Sequence, residues 1–277
     1  MYTLNRSWTL FKQSFAILSE EPSLMVFPVL SFCSAVALFA SFFVPLYRVG
    51  TLDAIRHHQA TASDLLPVFA WYYFNTFVVI FFNSAMTACV NLRLSGEKPN
   101  IGDGFRIAFW HLHRIAGWAL LSATVGLILN GIESRSRRAG KIAAALLGAG
   151  WTLITYMIVP VVIIENRSLF SSMKRSATLL KKTWGEQVTS GLGFGFLGVL
   201  LFLPGIMLGT ALGFVDKGAG VIIMAVYILM MWAVHASVTG IFRVALYRFA
   251  ADGQAPAGFS AEALAGPGRP SSPAASW

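Results

Sequence analysis

Charge is what this sequence has least of. Only 12% of its 277 residues are Asp, Glu, Lys or Arg, where a soluble domain carries about a quarter. The shortage is concentrated in six stretches, about 24–47, 67–92, 115–132, 142–164, 187–215 and 218–242, which hold no charged residue at all. Carboxylates are therefore missing from every one of them, which disfavours proton- or sodium-coupled transport. Cysteine is also scarce. Cys33 and Cys89 both fall inside apolar stretches, where a thiol behaves as a small hydrophobe and neither a disulfide framework nor a metal site is expected. The chain contains no phosphate-binding P-loop, no His-Glu-x-x-His and no Gly-x-Ser-x-Gly. Nucleotide chemistry, zinc peptidase chemistry and serine hydrolase chemistry thus lack their usual residues, and no cofactor is expected. Internal segments between the apolar stretches reach only about 20 residues, too short to build a soluble core.

What is present is apolar. Hydrophobic residues make up 56% of the chain and its mean hydropathy is +0.66. Each uncharged stretch is close to the ~20 residues that a helix needs to cross the hydrocarbon. The runs are continuous and do not alternate, so helices are expected and a barrel is not. The first 19 residues are amphipathic, and Glu20-Glu21-Pro22 separates them from the first apolar run, a pattern unlike a secretory signal.

Two short segments repeat. RSWTLFK begins at Arg6 and RSATLLK at Arg175, an offset of 169 with five identities in seven. Leu4, Trp8, Phe11 and Phe15 align with Met173, Ala177, Leu180 and Trp184, and each set advances by 4, 3 and 4, one apolar stripe on a helix. Off that stripe Arg6 matches Arg175 and Lys12 matches Lys181, with Lys182 beside it. A third copy, in pattern alone, is GFRIAFWHLHRIAGW, whose Phe105, Phe109, Leu112 and Ala116 keep the same spacing. Each copy runs into an apolar stretch, and the second is expected to stop at Trp184-Gly185. The expectation is an all-α membrane protein: six transmembrane helices as three hairpins, each preceded by a cytoplasmic interfacial amphipathic helix whose lysines face anionic headgroups.

Orientation follows from the basic residues. With both termini in the cytoplasm, fourteen Lys and Arg fall inside and seven outside, although SRSRRAGK at 134–141 opposes the bias. Residues 1–249 then form the membrane domain. The segment 250–277, rich in Ala, Gly, Pro and Ser, reads as a disordered cytoplasmic tail in which Phe259 and Leu264 are candidate docking residues. The net charge of +9 sits beside the spans, and so points to lipid and topology and not to nucleic acid.

Some features inside the spans allow two readings. Gly205, Gly209 and Gly213, four apart, admit close helix packing, and Pro204 should bend that helix; the alternative is a broken helix lining a substrate path. Pro160, four residues after Tyr156, invites the same pair of readings. His235 is the only ionisable group well inside a span, read as packing first and proton relay second. Glu165 is placed to pair with Lys174 or Arg175, or to cap the next helix with Asn166 and Ser168. The outer-loop pair His57-His58, like His111 and His113, diverges on a regular element and makes a poor metal site.

The segments NRSWTLFKQS, TYMIVPVVIIEN (155–166) and KRSATLLKKTWGE (174–186) give residues 1–250 a resemblance to an uncharacterised family of six-span bacterial membrane proteins. More distantly, interfacial helices followed by hairpins resemble the membrane domain of some glycerophosphodiester phosphodiesterases, whose catalytic domain has no counterpart here. The resemblance implies a bacterial inner membrane location and brings no site residues. The resulting expectation is a non-enzymatic organiser or subunit. Arg6, Trp8, Lys12, Lys174, Arg175, Lys181, Lys182 and Trp184 would contact anionic lipids or a membrane protein partner. The alternative is a transporter or channel for a lipid or other apolar solute, moving beside the glycine-rich fifth span.

Overall fold

A computed structural model describes residues 2–48, 62–135, 138–214 and 216–265, and every regular element among them is helical. In chain order these are α1 (Tyr2–Glu20), a 3-10 turn (Pro22–Met25), α2 (Val26–Arg48), α3 (Ala62–Leu94), α4 (Ile101–Trp110) and α5 (Leu112–Arg135). They continue with α6 (Arg138–Thr155), α7 (Ile158–Ile164), α8 (Leu169–Gly213), α9 (Lys217–Asp252) and α10 (Ala261–Ala265). Among the described residues, five stretches are long and apolar enough to cross a membrane: Pro22–Pro45, Leu66–Leu94, Leu112–Ile132, Gly140–Ile164 and Lys217–Asp252. A shorter apolar run, Leu197–Gly213, lies within the expected span at 187–215. Large apolar side chains such as Phe39, Leu147, Met207 and Ile222 remain exposed along these stretches, as hydrocarbon-facing residues do when lipid is the solvent.

The chain forms two compact units. One comprises the described parts of residues 1–28, 89–101 and 178–277. Its core is built from residues far apart in sequence: Leu10, Leu24, Phe27, Val90, Ile241, Leu246 and Leu264 are all fully buried. Helix α1 packs on α9 and α10. Phe194 joins them, stacked on Phe242 at 4.8 Å and tilted against Phe11 at 5.9 Å. At the end of α3, Arg93 pairs with Glu20 and Glu21, which holds the start of the first apolar run. The 36 residues of α9 span about 54 Å at 1.5 Å per residue, well beyond the ~30 Å of hydrocarbon. Its final third, from Val238 to Ala250, is largely buried in the core of the unit. Asp216 caps α9 by accepting from the Gly218 and Ala219 N–H groups at 2.7 and 3.1 Å. Gly253 ends it in the left-handed conformation (φ 74°) that glycine adopts without strain.

Two observations in this unit differ from what was expected. Within the expected tail at 250–277, α9 runs to Asp252, Phe259 and Leu264 are buried, and α10 packs on α1, while residues 266–277 lie outside the described residues. The Ala- and Gly-rich composition misled because Phe259, Leu264 and the alanines beside them are enough once α1 offers a surface. Helix α8 does not stop at Trp184-Gly185 but runs unbroken for 45 residues. A glycine inside a helix costs only about 1 kcal/mol, less than the unpaired backbone groups a break would leave.

The other unit comprises residues 29–88 and 102–177. Helices α5 and α6 pack together, with Trp118 stacked on Trp151 at 5.6 Å. Gly126 lies so close to the Tyr72 hydroxyl that a Cβ would collide with it, and Phe81 meets the rings of Phe105 and Phe109 at 6.1 and 5.0 Å. Between Thr155 and Ile158 the fourth apolar stretch breaks into α6 and α7. Pro160 explains the place, since it lacks an N–H for the Tyr156 carbonyl and its ring crowds that group. The Ser176 hydroxyl bridges the break, donating to the Ile154 carbonyl at 2.6 Å and accepting from the Met157 N–H at 3.3 Å.

Candidate functional site

The repeated segments share more than letters. At the offset of 169, burial matches from position 5 to 12 except at Trp8, which is exposed where Ala177 is half-buried. Ser7 and Ser176 are buried, as are Leu10 with Leu179 and Phe11 with Leu180. Lys12 and Lys181 are both exposed, Thr9 and Thr178 likewise, and Arg6 and Arg175 are both half-buried. At the offset of 101, Ser7, Leu10, Ser14, Ile17 and Leu18 of α1 correspond to Ala108, His111, Ile115, Trp118 and Ala119, and all ten are buried. The buried row therefore differs from the predicted aromatic stripe. Of that stripe, Trp8, Phe15, Phe109 and Leu112 are exposed. A serine or alanine in the row lets another helix approach closely, while the rings beside it are left to face outward. The first and third copies thus have a buried face and an outward aromatic one, whereas in the second Met173 and Ala177 are half-buried and Leu180 is buried.

The cations divide in the same way. Arg6 donates from Nε to the Ala263 carbonyl at 2.7 Å and from Nη2 to the Leu264 carbonyl at 3.2 Å, so its charge meets the carbonyl end of α10. Gln13 Nε2 adds a bond to Ser260 Oγ at 3.3 Å. Its counterpart Arg175 donates from Nε to Glu165 at 2.9 Å, and Glu165 is the C-cap residue of α7. Both arginines hold the end of a short helix. Lys12 instead stands 5.2 Å from the Trp8 ring centroid, a cation–π distance. Lys174 and Lys181 are exposed. The side chains of Lys182 and Trp184, and the whole of His57 and His58, lie outside the described residues.

Glu165 also pairs with Arg167, and the next residue, Asn166, takes positive φ (53°), which asparagine tolerates better than most. Its Oδ1 accepts from Arg114 and lies 3.1 Å from His111 Nε2, while His111 Nδ1 bonds the Ile107 carbonyl at 2.8 Å. This knot of His111, Arg114, Glu165, Asn166, Arg167 and Arg175 was only half legible. Spacing offered Glu165 either Lys174 or Arg175 as an ion partner, or a capping role, and Arg175 bonds to it, but the link from Asn166 back to His111 spans 55 residues. His111 and His113 do diverge, one buried and one exposed. Among the described residues no three His, Cys, Asp or Glu side chains gather as a metal site.

Gly198, Gly205 and Gly209 of α8 face α9. A Cβ at Gly205 would collide with the Tyr227 ring and one at Gly209 with Met224, and one at Gly220 would meet the backbone of Gly209 and Gly213. Near Pro204, the Tyr227 hydroxyl donates to the Leu201 carbonyl at 3.1 Å. His235 lies against Gly198, with no hydrogen-bond partner for Nδ1 among the described residues. Beside these contacts, in the same unit, lies an open apolar groove of about 650 Å³. Its walls are Trp8, Phe11, Lys12 and Phe15 of α1, with Leu201 of α8 and Val234 of α9 among those opposite.

Long apolar helices, exposed hydrocarbon-facing residues and paired charges at helix ends define a multi-span, all-helical membrane protein. The chain belongs to a family of unknown function, DUF6159, which matches residues 62–259. The match includes the second and third copies of the repeat and leaves α1 and α2 before it. No curated protein and no solved structure matches the chain.

Proposed function

We propose that this is a non-enzymatic organiser or subunit of a bacterial inner membrane, contacting anionic lipids or a protein partner through its basic repeated helices. The carrying observation is the division of labour in the repeat. Arg6 and Arg175 are committed to structure, while Lys12 and Lys181, at equivalent positions, are exposed. Exposed Trp8, Phe15 and Phe109 suit the headgroup level, where aromatic rings set depth and lysines meet phosphates. On this reading the six apolar stretches make three hairpins, the sixth crossing being completed by α8, with each repeat copy at the cytoplasmic surface and both termini inside. Of the residues first expected at the contact, Lys12, Trp8, Lys174 and Lys181 keep that role, and Arg6 and Arg175 become positioning residues. The transporter alternative placed its path beside the glycine-rich fifth span; there Gly205 and Gly209 are packed against Tyr227 and Met224, which supports close helix packing at those two positions.

Photo-crosslinking in cells from positions 12 and 181, read by mass spectrometry, tests the reading. Capture of one defined protein makes the chain a subunit of that assembly, and capture of anionic lipid makes it a lipid organiser. Crosslinks to zwitterionic lipid alone, in native proportion, would sink it.

A further inference from the structure

We infer that the groove between α1, α8 and α9 is a binding site for a single anionic glycerophospholipid, one acyl chain lying in the groove and the headgroup phosphate on Lys12. The inference deepens the organiser reading and rests on it for the cytoplasmic placement of α1. Three observations carry it. The groove, about 650 Å³, falls within the ~300–1,000 Å³ of small-molecule sites, and apart from Lys12 and Ser19 its lining is apolar or aromatic. Its walls differ in chemistry. Leu201, Met231 and Val234 come from the apolar stretches of α8 and α9, whereas α1 carries the cation, so the site is apolar at one side and positive at the other, as an amphiphile is. The cation is also available. Lys12 is exposed and stacks on Trp8, and among the described residues no carboxylate lies within ion-pair reach of it. The nearest acids along the chain, Glu20 and Glu21, are both taken by Arg93. A phosphate is the complementary group, and in a membrane a chain-bearing phosphate is already present as solvent.

The test is native mass spectrometry of the full chain extracted from vesicles of equal phosphatidylglycerol and phosphatidylcholine. Wild type is expected to retain one phosphatidylglycerol through mild activation. Lys12→Gln keeps the aliphatic stem and should lower the preference for phosphatidylglycerol over phosphatidylcholine about five-fold, the factor expected for losing one lysine at an anionic surface. Ala16→Trp, at an exposed alanine that lines the groove, should remove the retained lipid whatever its headgroup. Leu147→Trp, at an exposed apolar site in the other unit, should leave it in place and shows that an added indole alone is harmless. Retention by Ala16→Trp equal to wild type overturns the groove, as does an unchanged headgroup preference in Lys12→Gln. If Lys181→Gln loses anionic preference while Lys12→Gln and Ala16→Trp do not, the groove fails and the organiser reading stands. A wild type that retains lipid in the groove with no preference in any variant overturns both. Crosslinks from position 16 that reach polypeptide and not lipid would hand the groove to a protein segment.

Discussion

Helix α1 and the first part of α8 carry almost the same seven letters and put their charges to parallel uses on different targets. In α1 the arginine reaches a segment nearly the whole chain away and closes it with two backbone carbonyls. In α8 the arginine reaches ten residues back to a carboxylate that already holds a second arginine. The serine that follows the arginine is buried in both. In α8 it bridges a proline-broken helix, whereas α1 has no such break to serve. The third copy, at 105–119, has Ile107 where the others have arginine and a histidine in the buried row. What the copies conserve among themselves is therefore the pattern of which positions are covered. The chemistry at each covered position adapts to the neighbour.

The comparison is open to experiments of decreasing severity. Leu10→Ala and Leu179→Ala empty matching buried positions, and each should lower stability by about 2–5 kcal/mol, read by thermal unfolding of the solubilised protein. A nearly neutral result in one copy would break the equivalence. Next come the arginines. Arg6→Ala should cost about 1–3 kcal/mol and expose the segment 253–265 to limited proteolysis, while Arg175→Ala should leave that segment protected. Arg6→Lys should rescue only partly, because an ammonium lacks the planar fork that engages two carbonyls. Ser176→Ala strands the Met157 N–H and the Ile154 carbonyl, and about 1–2 kcal/mol is expected. Hydrogen exchange should rise at 154–158 first, and exchange rising elsewhere instead would argue against the bridge. Smallest of all, Lys12→Ala and Lys181→Ala should change stability by less than about 0.5 kcal/mol. A larger loss would mean that these lysines are structural and would weaken the functional proposal.

How much of this was legible varied by element. The apolar stretches were readable because crossing a bilayer is a local requirement on some twenty consecutive residues. Tyr156-to-Pro160 and the choice of Lys174 or Arg175 for Glu165 were readable because proline acts on its own turn and ion pairs form between near neighbours. The buried row Ser7, Leu10 and Ser14 was not, since polar residues beside a bright aromatic stripe look like the outside of a helix. Nor was the use of Arg6, because its acceptors lie 257 and 258 residues away. The end of α8 was misplaced for a related reason: a lone Trp-Gly resembles a stop only if tertiary contacts offer the freed carbonyls new partners.

The sequence by itself determined that this chain is a helical membrane protein, where its apolar stretches lie, and that one short helix is written more than once. Composition and spacing suffice for those conclusions because hydrocarbon accepts only helices whose backbone groups are satisfied within the segment. Only the tertiary structure decided which face of each copy is covered, which cations are consumed in holding helix ends and which are left exposed, and that residues 253–265 close onto α1. Those outcomes depend on which groups meet across hundreds of residues. A half-buried arginine that finds two carbonyls and an exposed lysine that stands over an indole begin from the same formal charge and end with different roles.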